Sequence, residues 1–305
     1  MAEELAPLTG SWFVATGEEG LRAFSRDGLA WTHDQTDREG VLLHQACFAN
    51  GRCVAAGKYG GERIAFSTGD GVRWTQSKPE GRPYVSQLTI LYAEGGKFHA
   101  VMCEDGDPPG ELASIDGLAW EPRRPLVADR QNMKRDAALR RIALGGGRAV
   151  IVGDYGARLV REGKAPQFTA LPGIPARDTL VDITFGNGVF VGAGMHGLRM
   201  RSEDGITWTD RTVGEEGEHI NAMIWDGAQF VGIGQGGTYL SPDGRNWRRE
   251  PNQNAPTIAT FGNGVFLGAL WPGKLLRSTD GMRWEQVHEF SHHVLGLAHG
   301  RLGPG

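Results

Sequence analysis

Apolar and polar positions alternate in short runs along nearly the whole chain, and the runs are cut by turns rich in glycine. The segment LVDITFGNGVFVGAGMHGLRMRSEDGITWTD, residues 180 to 210, shows the pattern at its cleanest. It predicts four short strands: A from Asp182 to Phe185, B from Val189 to Ala193, C from Leu198 to Ser202 and D from Ile206 to Thr209. Asn187-Gly188 between two apolar runs is a hairpin signal, because both residue types accept positive φ. Asp204-Gly205 joins C to D by related chemistry, with Gly supplying positive φ and the Asp carboxylate bonding the local backbone. The unit is therefore a four-stranded antiparallel meander, and helical periodicity is nearly absent from the chain.

The same unit recurs. FANGRCVAAG (48–57), LGGGRAVIVG (144–153), WDGAQFVGIG (225–234) and FGNGVFLGAL (261–270) align with FGNGVFVGAG (185–194), and YAEGGKFHAVM (92–102) aligns with one insertion. A Ser-x-Asp-Gly-x-x-Trp turn ends at Trp31, Trp120, Trp208, Trp247 and Trp284. STGDGVRW, ending at Trp74, reads as a copy with one extra residue, and REGKAPQF, ending at Phe168, as a degenerate one. Repetition at roughly 40 to 50 residues marks a propeller or a solenoid. The chain ends decide between them: SWFVATG (11–17) reads as strand B with no A before it, and HVLGLAHGRL (293–302) as a lone strand A. Two incomplete units that sum to one blade are what ring closure requires, and closure removes the exposed sheet edge of an open array. The expected fold is an all-β, seven-bladed β-propeller in a single domain over 1–305, with blades at 41–76, 85–122, 138–170, 180–210, 219–249 and 256–286 and a shared blade of 293–302 plus 11–33.

The recurrent turn resembles the Asp-box or BNR repeat of sialidase-like and sortilin-like propellers, and the whole FGNG-VFVGAG-GG-SxDGxxW unit is similar to bacterial propellers described as photosystem II assembly factor-like. The resemblance covers nearly the whole chain. It departs from the usual Asp box in one respect: Asp and Gly are adjacent, as in Asp27-Gly28 and Asp204-Gly205. The arginine triad of a catalytic sialidase is not identifiable by spacing. By resemblance and by chemistry these turns are structural, with Trp as an apolar anchor between sheets.

Composition narrows the partners. A net charge of −4 with 22% charged residues gives no electrostatic case for nucleic acid or an anionic membrane. Cys47, Cys53 and Cys103 form neither a metal spacing nor a disulfide framework and read as small buried hydrophobes. The acidic start MAEELAPLTG lacks the basic-then-apolar form of a secretory leader, so the expectation is a cytoplasmic protein, or an exported one if a leader has been removed. A monomer with no cofactor and no metal is expected.

Strand order then sorts residues by face. With A innermost, the regular A-to-B and C-to-D turns share one face, here called the bottom, and the irregular B-to-C and D-to-A connections share the top. Variable loops on a rigid scaffold are where binding and chemistry sit. The top supplies Lys58, Tyr59, Glu104, Asp105, Asp107, Asp154, Tyr155, His196 and Trp271 at loop tips, and His44, Arg141, Asp182, Asn221 and His293 at the starts of A strands. Of these, Lys58, Tyr59, Asp154, Tyr155, Asp182, His196, Asn221, Trp271 and His293 are the candidate binding set for a small molecule, glycan or protein at the channel mouth. The alternative is a lyase or hydrolase drawing an acid, a base and a charge stabiliser from His44, His196, His293, Tyr59, Tyr155 and Arg141. GAGMHG (192–197) matches a dinucleotide fingerprint, but it lies between two strands where the fingerprint needs a following helix, so it is a hairpin. The longest connection, 121–141, is basic, with Arg123, Arg124, Arg130, Lys134, Arg135, Arg140 and Arg141 against Glu121, Asp129 and Asp136. It is a candidate clamp for an anion, facing the acidic tip CEDGDPPG.

Overall fold

A computed structural model describes residues 5–80, 86–104, 108–134, 137–214 and 218–304; Asp105, Asp107, Arg135 and Asp136 lie outside the described residues. Seven antiparallel four-stranded sheets are formed, each from consecutive strands except one. In that one, Val294–Leu302 pairs with Gly10–Gly17, from Gly10 opposite Leu302 to Gly17 opposite Val294 with a register shift between Thr16 and Gly17, joining the two ends of the chain. The innermost strands are Val41–Ala49, Ser86–Glu94, Leu139–Gly145, Leu180–Gly186, Ile220–Trp225, Ile258–Gly262 and Val294–Leu302. Each contacts the innermost strands on either side, so the sheets stand as blades around a channel. The blades are numbered 1 to 7 in chain order from Val41, with the shared blade as the seventh.

The two faces separate as strand order requires. On the bottom, Asn187 in an A-to-B turn donates to the Pro242 carbonyl in the next blade's C-to-D turn at 3.1 Å, and Asn263 donates to Arg26 at 2.8 Å across the closure. On the top, Met195 bridges His219, and the Gly214 N–H reaches the His196 carbonyl at 2.8 Å.

Two details differ from the sequence reading. Strand D of blade 4 runs over Thr209–Thr212 rather than 206–209. The cause is the Asp204 carboxylate, which accepts the N–H groups of Ile206 at 2.8 Å and Thr207 at 2.7 Å and curls the chain until after Trp208. The copy before Trp74 has no extra residue, because Thr68 takes the place of Ser. Its hydroxyl accepts the Gly71 N–H at 2.9 Å while Asp70 takes those of Val72 and Arg73, each at 2.9 Å.

The FGNG signature holds two glycines with different tasks. Gly188 sits at φ +78° with open space around it, so it serves the turn. Gly186 serves packing: a Cβ there would lie 2.2 Å from the indole of Trp225 on the next blade. The same aromatic-over-glycine contact joins Gly145 to Phe185, Gly262 to His299 and Gly300 to Phe48.

Higher up, one buried position at the start of strand C faces the following blade. It is defined by its pairing partners on strand B and is occupied, from blade 1 to blade 7, by Ala65, Glu111, Arg158, Arg199, Thr238, Leu275 and Arg22. Arg158 lies over the ring of Trp208 at 5.2 Å, Arg199 over Trp247 at 5.5 Å and Arg22 over Trp74 at 5.4 Å. Guanidinium groups thus lie over the recurrent tryptophans across three joints, with Arg22 also 4.3 Å from the Phe66 ring and Arg199 4.2 Å from that of Tyr239. Thr238 donates to the Gly281 carbonyl at 2.8 Å at a fourth joint.

Candidate functional site

Inner strands run from the top to the bottom, and near the top most of them carry a β-bulge. The register slips between Leu43 and Gln45, Leu139 and Arg141, Leu180 and Asp182, and Ile220 and Ala222. A bulge leaves one residue unpaired and re-aims its neighbours. Here it turns His44, Arg141, Asp182 and Asn221 into one cavity of about 350 Å3 in the channel. The same cavity is lined lower down by Ile224, Trp225, Phe261 and Leu297, so a polar mouth stands over an apolar floor.

Asp182 is largely engaged by the fold. Its Oδ1 accepts the Ile183 N–H at 2.9 Å and its Oδ2 accepts the Met223 N–H of the next blade at 2.7 Å. Gln45 makes the corresponding bond to the Leu91 N–H at 3.2 Å, so both side chains cap edge amides of a neighbouring inner strand. Burial raises the Asp182 carboxyl, against the opposing pull of Arg141, whose Nε stands 3.8 Å away, and of the two amides. Burial, with Lys58 nearby, holds the His44 imidazole below its ordinary value and so favours the neutral ring.

The loop tips form a second tier. Glu19, Tyr155 and His196 occupy the same B-to-C turn position in blades 7, 3 and 4, with φ of 52°, 53° and 56°, and each precedes a glycine that is also at positive φ. The bottom turns place Asn50, Asn187 and Asn263 in that conformation, the residue type that tolerates it best after glycine. Tyr155 is 43% exposed and Trp271, at the tip of blade 6, is 74% exposed. Lys134 lies over the Tyr155 ring at 4.6 Å, and Arg140 holds Asp154 through two bonds of 2.8 and 2.9 Å. Asp154 and Tyr155 line a separate cavity of about 320 Å3. His196 packs edge-on against His219 at 5.5 Å, and its backbone N–H donates to His219 Nδ1 at 3.2 Å.

The candidates named from sequence therefore separate. His44, Arg141, Asp182 and Asn221 meet in the channel, Asp154 and Tyr155 line the second cavity, and Lys58, Tyr59, His196, Trp271 and His293 line neither. Tyr59 lies under Arg38 at 4.2 Å, and the His293 N–H faces the Glu18 carboxylate at 3.4 Å. Trp225 and Phe261 were missed, although their signal is in the repeat: both fill the aromatic position of FGNG.

The basic connection is largely absorbed by the fold. Arg124 bonds Glu111 at 2.9 Å, Arg140 holds Asp154, and Arg123 reaches the Pro108 carbonyl. Glu111 also lies 3.5 Å from His99 and 3.7 Å from Arg161 and accepts the Tyr92 hydroxyl. Burial alone would raise this carboxyl, but the hydrogen bonds of His99 and Tyr92 and the charges of His99 and Arg124 outweigh it and bring the pKa from 4.5 to about 2. Cys53 is buried and Cys47 partly so, and burial pushes the Cys47 thiol up to about 12. Among the described residues no group of three or more His, Cys, Asp and Glu side chains could hold a metal ion, and no helix is long and apolar enough to cross a membrane.

Seven four-stranded blades around a channel, closed by pairing the two chain ends, define a seven-bladed β-propeller. No protein-family model matches the sequence, and no curated protein does. Solved structures do match in fold. YCF48 bound to D1 peptide is 14% identical with a TM-score of 0.60 over 94% of this chain and 93% of that one. YCF48 from Cyanidioschyzon merolae is 13% identical with a TM-score of 0.55 over 89% of this chain and 94% of that one. The computationally designed Ika8 protein is 12% identical with a TM-score of 0.61 over 96% of this chain and 89% of that one.

Proposed function

We propose that the protein is an interaction propeller that captures a protein segment on its top face. The observation that carries this reading is the use of Glu19, Tyr155 and His196 in left-handed turn positions where the opposite face uses asparagine. A left-handed non-glycine residue costs about 1 kcal/mol, and such strain collects where a side chain must be presented. The exposed rings of Tyr155 and Trp271 supply apolar contact area on the same face. A fold neighbour carries a bound peptide, which is consistent with this use of the scaffold. The Ser-x-Asp-Gly-x-x-Trp turns, Asp-box-like in chemistry, belong to the bottom face and build the ring.

The same rings would stack on a sugar, so a glycan is the competing ligand for this face. A lyase or hydrolase needs an acid and a base on one substrate, and of His44, His196 and His293 only His44 lines the channel cavity. Peptides selected by display on the immobilised protein, alongside a glycan array, test the reading. Trp271→Ala and Tyr155→Asn should each weaken a selected peptide at least tenfold without lowering the unfolding midpoint. Equal affinity in both variants, or binders that respond only to bottom-face changes at Asn187, would overturn it.

A further inference from the structure

The channel cavity holds polar side chains whose hydrogen-bonding capacity the fold leaves unused. His44 and Asn221 have no side-chain partner among the described residues. Arg141 makes one bond, from Nη1 to the Arg140 carbonyl at 3.2 Å, beside its looser approach to Asp182. Asp182 accepts one backbone amide on each oxygen and stands 3.8 Å from Arg141 Nε, beyond hydrogen-bond distance. The mouth is therefore rich in donors: the guanidinium offers donors only, the Asn221 amide offers two, and the neutral imidazole offers one. It is also positive, since Arg141 and the nearby Lys58 outnumber Asp182. What it lacks is a side-chain acceptor within hydrogen-bond distance of these donors.

The floor asks for something else. Trp225 ends its inner strand and Phe261 is one residue from the end of its own, while His44, Arg141 and Asn221 come early in theirs, so the rings lie below the polar groups in the same cavity. Its volume, about 350 Å3, falls at the small end of ligand pockets. We propose that the channel binds a small amphipathic carboxylate, an aryl or branched alkyl acid, with the carboxylate against Arg141, His44 and Asn221 and the apolar body against Trp225 and Phe261. Charge-assisted bonds to a guanidinium fix the acid group, and the floor removes the body from water. This site is independent of the loop tips. The same chemistry is carried by the free C-terminus of a peptide that ends in an apolar residue, and the test separates the two sources.

Calorimetric titration with 3-phenylpropanoate should show saturable one-to-one binding, and 3-phenylpropanamide, which keeps the body and loses the charge, should bind at least tenfold more weakly. Arg141→Gln should weaken the acid at least tenfold and leave the amide unchanged, a split that general unfolding would not produce. Arg141→Lys should recover part of the loss. Tyr155→Asn should leave acid binding intact, so the failure of one site is distinguishable from failure of the other. Gly-Gly-Phe with a free C-terminus is the second arm: binding tighter than the free acid transfers the site to a chain terminus and overturns the small-acid assignment, whereas weaker binding supports it. Absence of saturable binding, equal affinity for acid and amide, or no effect of Arg141→Gln would sink the proposal.

Discussion

A side chain held at positive φ can be tested by giving the backbone the residue it prefers. Tyr155→Asn and His196→Asn should each raise stability by about 0.5–1 kcal/mol in urea denaturation, since asparagine relieves the left-handed strain. A lower midpoint for both variants would show that the rings are held by packing rather than presented.

Glu111 makes the opposite kind of residue-scale prediction. Its folded pKa, about 2, lies below the ordinary 4.5, so its contribution is fully present above that ordinary value and is lost as pH falls toward 2. The shift corresponds to about 3 kcal/mol. Urea midpoints for the wild type should fall between pH 4.5 and pH 2, and Glu111→Gln should show a shallower fall over that window from a lower starting stability. An identical slope in the variant would remove Glu111 from the account.

At the scale of the element, the two glycines of FGNG should respond differently. Gly186→Ala drives a methyl into the Trp225 ring of the neighbouring blade and should cost about 3 kcal/mol, with partial rescue by Trp225→Val. Gly188→Ala meets open space and should cost about 1 kcal/mol through φ alone. Thermal melts of the three variants check the contrast.

The contrast also marks how far the sequence was readable. Strands and turns were legible because Asn-Gly and Asp-Gly act on adjacent backbone, and ring closure was legible because the half units at the two ends are complementary. The late start of strand D was hidden by the reach of the Asp204 carboxylate, and the regular turn at Thr68 by the equivalence of two hydroxyls. The channel was legible in part: His44, Arg141, Asp182 and Asn221 sit at strand starts, but which way each faces depends on a bulge that no local pattern announces. The joints between blades were legible only in their recurrent tryptophans. Arg158 and Glu111 look like ordinary polar residues of a strand, and their burial follows from a neighbour many residues away.

For the whole molecule, the seam between Gly10–Gly17 and Val294–Leu302 carries the closure. Deleting residues 293–305 should expose the long edge of Gly10–Gly17 and replace one cooperative melt with broadened unfolding and aggregation, read by scattering during a thermal ramp. A circular permutant that links the native ends and opens the chain between Gln253 and Ala255 keeps all seven sheets and should melt within a few degrees of the wild type. A permutant that unfolds as readily as the deletion would show that the seam is not what holds the ring.

A ring of look-alike units faces a problem of addressing: with the same strands and turns in every blade, backbone geometry alone would let any blade dock beside any other. The joint position answers it in part, because Ala65, Glu111, Thr238 and Leu275 each differ in kind from one another and from the arginine that fills the other three joints. The three arginines would meet an indole beside most blades, but Glu111 beside any blade other than the third would lose Arg161 and keep only its own blade's Arg124, His99 and Tyr92. Misordered docking, or exchange of blades between two chains during folding, is thereby penalised where the contact is unique to one joint, as at Glu111 with Arg161 and Thr238 with Gly281, and the order of the circle is written in part on the flanks of the blades as well as in the covalent chain.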